Sequence, residues 1–93
     1  MAKKVVRFSF SGSKLKGYWA TVGNQDLNIK NGKASLPLEE GEVHLLIWKM
    51  DGSPGGALGI LVTDAKQNNL LEIKASKIPP GYIEAVGYVR FKV

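Results

Sequence analysis

The chain has 93 residues and a mass of 10.1 kDa, below the length at which cores divide, so it forms one domain over residues 1–93. With 44% hydrophobic and 23% charged residues and no apolar run near the roughly 20 residues that cross a bilayer, it reads as a soluble globular chain, excluding disorder and a membrane-crossing helix. The formal charge of +5 is unevenly placed: residues 1–33 carry +6, with Asp26 their only acid, whereas residues 34–93 carry −1.

Residues 4–10 alternate, with Val6, Phe8 and Phe10 on one face and Val5, Arg7 and Ser9 on the other, the pattern of a half-buried strand ended by Ser11-Gly12-Ser13. Residues 16–22 place Tyr18, Ala20 and Val22 together and Trp19 and Thr21 opposite, before a turn at Gly23-Asn24-Gln25. Asn31-Gly32 is the strongest local signal, because a two-residue type I′ turn needs positive φ at both centres. The hairpin it predicts sets Lys30 against Lys33, Ile29 against Ala34, Asn28 against Ser35 and Leu27 against Leu36.

Residues 42–50 are apolar on both faces, Val43, Leu45 and Ile47 alternating with His44, Leu46, Trp48 and Met50, as a central strand would be. Asp51-Gly52-Ser53-Pro54-Gly55-Gly56 predicts a mobile loop, after which Leu58, Ile60 and Val62 resume the alternation. Residues 70–75 are expected to bury Leu71, Ile73 and Ala75, and Ile78-Pro79-Pro80-Gly81 makes a stiff corner that excludes helix. The last strand, 82–92, sets Ile83, Ala85, Val89 and Phe91 against Tyr82, Glu84, Val86, Tyr88, Arg90 and Lys92. Gly87 interrupts the first of these faces at a bulge or crossing point.

About seven or eight short strands without a crossover helix predict an all-β, antiparallel two-sheet β-sandwich, with a small barrel as the alternative. Asn31-Gly32-Lys33-Ala34-Ser35-Leu36, Glu40-Gly41-Glu42-Val43-His44-Leu45 and Pro79-Pro80-Gly81-Tyr82 together resemble the immunoglobulin-like and prealbumin-like sandwich modules. That resemblance implies adhesion, scaffolding or sugar binding and no single activity. The paired cysteines of antibody domains are missing.

Groups that do chemistry are sparse. Zero cysteines leave no disulfide, zinc-thiolate site or cysteine nucleophile, and His44 is the lone histidine, so the reading is of a protein that is not an enzyme, with no catalytic residue, no metal site and no cofactor. Glu39, Glu40 and Glu42 read as a solvated corner, and Asp26, Asp51 and Asp64 as turn caps at strand ends. The glycine-rich 52–56 segment lacks the Gly-Lys-Ser/Thr ending and following helix of a phosphate-binding loop, and reads as a connector or a flexible ligand-contacting loop. The N-terminal run Met1 to Arg7 has no continuous apolar stretch of export-signal length, which gives a cytoplasmic expectation.

What remains is surface. Trp19 and Trp48 fall out of phase with their apolar neighbours, and Tyr82, Tyr88, Arg90 and Lys92 share a strand face. Arg7, Lys30 and Lys33 belong to the basic first third, which attracts anions. These nine residues are the candidate binding residues of a module that engages a protein partner or a copy of itself through an aromatic-apolar sheet face, around Trp48, Leu46 and Met50 or Trp19. Single-stranded nucleic acid is the alternative partner, because aromatic platforms edged by cations stack on bases, and carbohydrate is the third.

Overall fold

Period-two alternation becomes strand along most of the chain. The computed structural model describes residues 2–93, with Met1 outside, and is all-β and antiparallel, with six strands in one hydrogen-bonded sheet. They are β1 (Lys3–Val22), β2 (Gln25–Asp26), β3 (Lys33–Glu39), β4 (Val43–Asp64), β5 (Asn69–Lys77) and β6 (Glu84–Lys92). β1 and β4 pair along almost their whole length, from Val6↔Asp64 to Val22↔Leu46. One half of this ribbon is flanked by β3 and β5, the other by β2 and β6, and the sheet does not close into a barrel.

The strand count differs from the sequence expectation because Gly12 and the 52–56 segment end no strand: both lie inside the two longest strands, although the pairing of β1 with β4 passes from Gly52 directly to Ala57. A 22-residue strand would extend about 70 Å, whereas the molecule measures 45 × 20 × 20 Å, so the ribbon bends. The bend sits where β1 shifts register between Ser13 and Gly17 and Lys14 takes φ 58°. There the strands approach so closely that a Cβ on Gly52 would land on the Lys14 carbonyl, and one on Gly56 would stand 2.8 Å from the same oxygen. The predicted mobile loop is therefore the pivot of the sheet, with glycine required by close backbone approach. Asp51, expected at a strand end, is inside β4.

Parity passes through the pivot unchanged. Val6, Phe8 and Phe10, then Ala20 and Val22 in β1, and Leu46, Trp48 and Met50, then Leu58, Ile60 and Val62 in β4, are all even-numbered and buried. One side of the sheet thus lines a single core from end to end. The halves turn that side toward one another: Phe8 of one meets Phe91 of the other edge-on, with ring centroids 6.1 Å apart, and Trp48 Nε1 donates to Ser76 Oγ at 3.1 Å.

Three finer expectations change. The type I′ turn forms, with Asn31 at φ 54°, Gly32 at φ 75° and two hydrogen bonds joining Lys30 and Lys33. Beyond that pair the predicted hairpin opens, because β3 pairs with β1 instead, placing Ala34 opposite Phe8 and Leu36 opposite Val6. In β4 the inward face is that of Leu46, Trp48 and Met50, leaving Val43 exposed. Ala75 and Ile83, expected inside, are exposed: a register shift between Ile73 and Ser76 turns β5, and Ile83 precedes β6 at the Pro79-Pro80-Gly81 corner.

Candidate interaction surfaces

The odd-numbered residues of β1 and β4 and the even-numbered residues of β6 form the outer face of the β2-β1-β4-β6 half. Register fixes its rows across three strands. Trp19, Lys49 and Val86 stand side by side, then Thr21, Ile47 and Tyr88, and Leu45 and Arg90 follow, then Val43 and Lys92. Trp19 is 49% exposed and Tyr88 70%. Among the described residues, six of the seven large hydrophobic side chains left exposed, all but Val5, lie on this face or on the corner feeding β6. Apolar area gathered in this way marks an interface more often than scattered exposure does.

Charge is arranged around it. Lys49 Nζ sits 5.2 Å from the Trp19 ring centroid and 3.7 Å from Glu84 Oε2. An exposed ion pair contributes at most about 1 kcal/mol, and the cation over the ring adds about 0.5–1 kcal/mol. Arg90 and Lys92 make no ion pair among the described residues.

Of the nine residues singled out by sequence, Trp19, Tyr88, Arg90 and Lys92 come together here, with Tyr82 exposed at the adjoining corner. Trp48 does not belong: it is 5% exposed, its ring seated against Gly87, where a Cβ would stand 2.8 Å from Nε1. Leu46 and Met50 are core as well. Gly87 marks neither bulge nor crossing, since Trp48↔Gly87 lies in unbroken register. Lys49, Ile47 and Val86 are surface members that sequence reading did not select. The signal was present: Val43, Leu45 and Ile47 run on to Lys49 and Asp51, so that face ends in charge while Leu46, Trp48 and Met50 stay apolar.

Arg7, Lys30 and Lys33 lie on the other half of the sheet. They line a shallow groove of about 800 Å³ together with the hydroxyls of Ser9, Ser35 and Thr63. The amides of Asn28, Gln67 and Asn69 complete its polar wall, and no carboxylate lines it.

The acidic and imidazole groups hold the chain's own backbone. His44 Nε2 donates to the Glu39 carbonyl at 3.1 Å, its ring 6.0 Å from that of Phe91. Asp64 accepts from the Lys66 and Asn68 amides, both at 2.9 Å, and from Asn68 Nδ2 at 3.0 Å, capping the β4–β5 turn. These bonds, the Asn68 amide's foremost, hold its carboxyl below the ordinary aspartate value. Glu40 pairs with Lys4 at 3.6 Å, whereas Glu39 departs from the solvated corner expected: its Oε2 is buried without a partner among the described residues. No cluster of three or more metal-ligating side chains, and no helix long and apolar enough to cross a membrane, occurs among the described residues. No protein-family model, curated protein or solved structure matches the chain.

Proposed function

We propose that the protein is a non-enzymatic interaction module, its sheet folded sandwich-like over one core, that associates with a second copy of itself through β6 and the outer face beside it. The observation that carries this reading is the concentration of exposed Trp19, Val86 and Tyr88 on one sheet face whose last strand, the nine-residue β6, is bonded on one edge only, to β4. An open edge of that length offers unpaired N–H and C=O groups to another strand.

A second copy fits because β6 is self-complementary. Antiparallel pairing about a two-fold axis at Tyr88 sets Glu84 against the other copy's Lys92, twice, and Tyr88 against its own counterpart. All three side chains lie on the exposed face, so opposite charges and an aromatic pair each add roughly 0.2–1 kcal/mol. A two-fold contact of this kind closes on itself and stops at the dimer. Base stacking, which the alternative nucleic-acid reading needs on this face, is disfavoured at Trp19 because the Lys49 ammonium already caps the ring.

Light scattering across a concentration series tests this. The native chain is expected to shift from monomer toward dimer as concentration rises, and Tyr88→Asp to stay monomeric with an unchanged circular dichroism spectrum. A native chain monomeric at every concentration overturns the reading, as does a Tyr88→Asp variant that dimerises equally well.

A further inference from the structure

The groove on the opposite half carries an inference independent of the dimer. Lys30 and Lys33 face each other directly across the Asn31-Gly32 turn, joined by backbone bonds of 2.8 and 3.0 Å. Lys33 stands opposite Ser9, and Arg7 opposite both Ser35 and Thr63. Arg7 is therefore the diagonal neighbour of Lys33, about 7–8 Å away along the pleat. All three side chains are exposed, and none makes an ion pair among the described residues. Like charges set opposite one another destabilise a sheet, and here nothing in the lining offsets them. The turn cannot swing away to separate them, because the Phe10 amide donates to the Gly32 carbonyl at 2.7 Å and ties it to β1.

We propose that this groove binds a phosphate-bearing ligand. The Arg7 guanidinium offers a planar fork that takes two phosphate oxygens, while Lys30 and Lys33 supply point charges; register sets Ser9 and Ser35 between Arg7 and Lys33, with Thr63 on the other side of Arg7, so hydroxyls flank the cations. A carboxylate, with one negative charge, leaves most of this positive charge unanswered. A phosphate group at about −1.5 to −2 matches it better. A volume of about 800 Å³ is that of a small-ligand cleft, with the Asn28, Gln67 and Asn69 amides left to hold whatever carries the phosphate. The source is either a free phosphorylated molecule or a single-stranded nucleic acid, whose phosphodiesters carry one charge each and match the groove only when two successive phosphates enter it.

Two probes distinguish those sources: inorganic pyrophosphate, followed by calorimetry, and a labelled ten-nucleotide thymidine oligomer, followed by fluorescence anisotropy, both at low salt. Arg7→Gln and Lys33→Gln are each expected to weaken binding by about tenfold or more, the loss of one charge-assisted contact. Lys16→Gln, which removes the same charge far from the groove, serves as the control and changes affinity little. Pyrophosphate binding with this pattern assigns the site to free phosphorylated ligands. Oligomer binding alone with this pattern assigns it to the phosphodiester chain, and the salt dependence then flattens by about one unit of slope in each groove variant. Without ligand, Lys33→Gln raises the thermal midpoint because it removes the opposed pair. Failure of both probes to bind, or equal weakening by Lys16→Gln and Lys33→Gln, overturns the proposal.

Discussion

Replacing Gly87 with alanine adds one methyl group where Trp48 already stands. The new Cβ would lie 2.8 Å from the indole Nε1 and nearer still to two ring carbons, when ordinary carbon contacts begin about 3.5 Å apart. Trp48 cannot give way cheaply: its ring is buried, its Nε1 is bonded to Ser76 Oγ at 3.1 Å, and Ala20 flanks it across the sheet. Overpacking a core of this kind costs about 1–3 kcal/mol, and a displaced indole also loses about 1 kcal/mol of hydrogen bonding. Alanine recovers roughly 0.5–1 kcal/mol through its smaller backbone entropy, so the net expectation is a loss of about 2 kcal/mol. For a domain of this size that lowers the thermal midpoint by roughly 8–16 °C. Calorimetry of Gly87→Ala, Trp48→Leu and the double variant supplies the check. Leucine vacates the space over residue 87, so alanine is expected to cost at least about 1 kcal/mol less in that background. A Gly87→Ala variant as stable as the native chain, or strictly additive effects, would refute the claim that glycine is there to seat the indole.

Two further substitutions test the turns. Gly32→Ala places a Cβ 2.8 Å from the Phe10 carbonyl oxygen at a residue with φ 75°. Left-handed backbone alone costs an L-residue roughly 1–2 kcal/mol, and urea unfolding should show a midpoint lowered by at least that much at unchanged slope. Asp64→Asn is expected to reduce stability at pH 7, since an amide accepts from the Lys66 and Asn68 amides less strongly than a carboxylate. The folded-state carboxyl titrates below its ordinary value of 3.8. Its contribution is therefore complete above that value and disappears as pH falls through the lower, folded one. Native protein should lose more stability than Asp64→Asn between pH 5 and pH 2, and urea titrations at a series of pH values read the difference.

Much of the architecture was legible because a buried strand face writes itself as a period of two. The inward residues Val6, Phe8 and Phe10, and likewise Leu58, Ile60 and Val62, were readable directly, as was the Asn31-Gly32 turn, whose chemistry is local. Pairing beyond the turn was not, because Ala34 and Leu36 bury equally well against Ile29 and Leu27 or against Phe8 and Val6, and only the competition with β1 decides. The glycines at 52–56 misled for a related reason. Glycine marks both a loop and a close crossing, and what distinguishes them here is the even parity that Leu46, Trp48 and Met50 share with Leu58, Ile60 and Val62 across the gap. The surface was half legible. Tyr88, Arg90 and Lys92 share a strand, so their common face follows from alternation, whereas the row of Trp19, Lys49 and Val86 joins three strands and depends on register. Trp48 was misplaced because its partner, Gly87, is a residue without a side chain, and the cavity it leaves is invisible to any hydrophobic pattern.

The most direct test of self-association through β6 is sedimentation equilibrium on the charge-exchange set Glu84→Lys, Lys92→Glu and the two combined. Each single change sets like charges opposite one another at both ends of the two-fold contact, and the combination restores opposite charges with the sense exchanged. The native chain and the double variant should dimerise with similar constants while both single variants remain monomeric. Equal association by all four chains, or by none, would contradict the assignment of β6 as the interface.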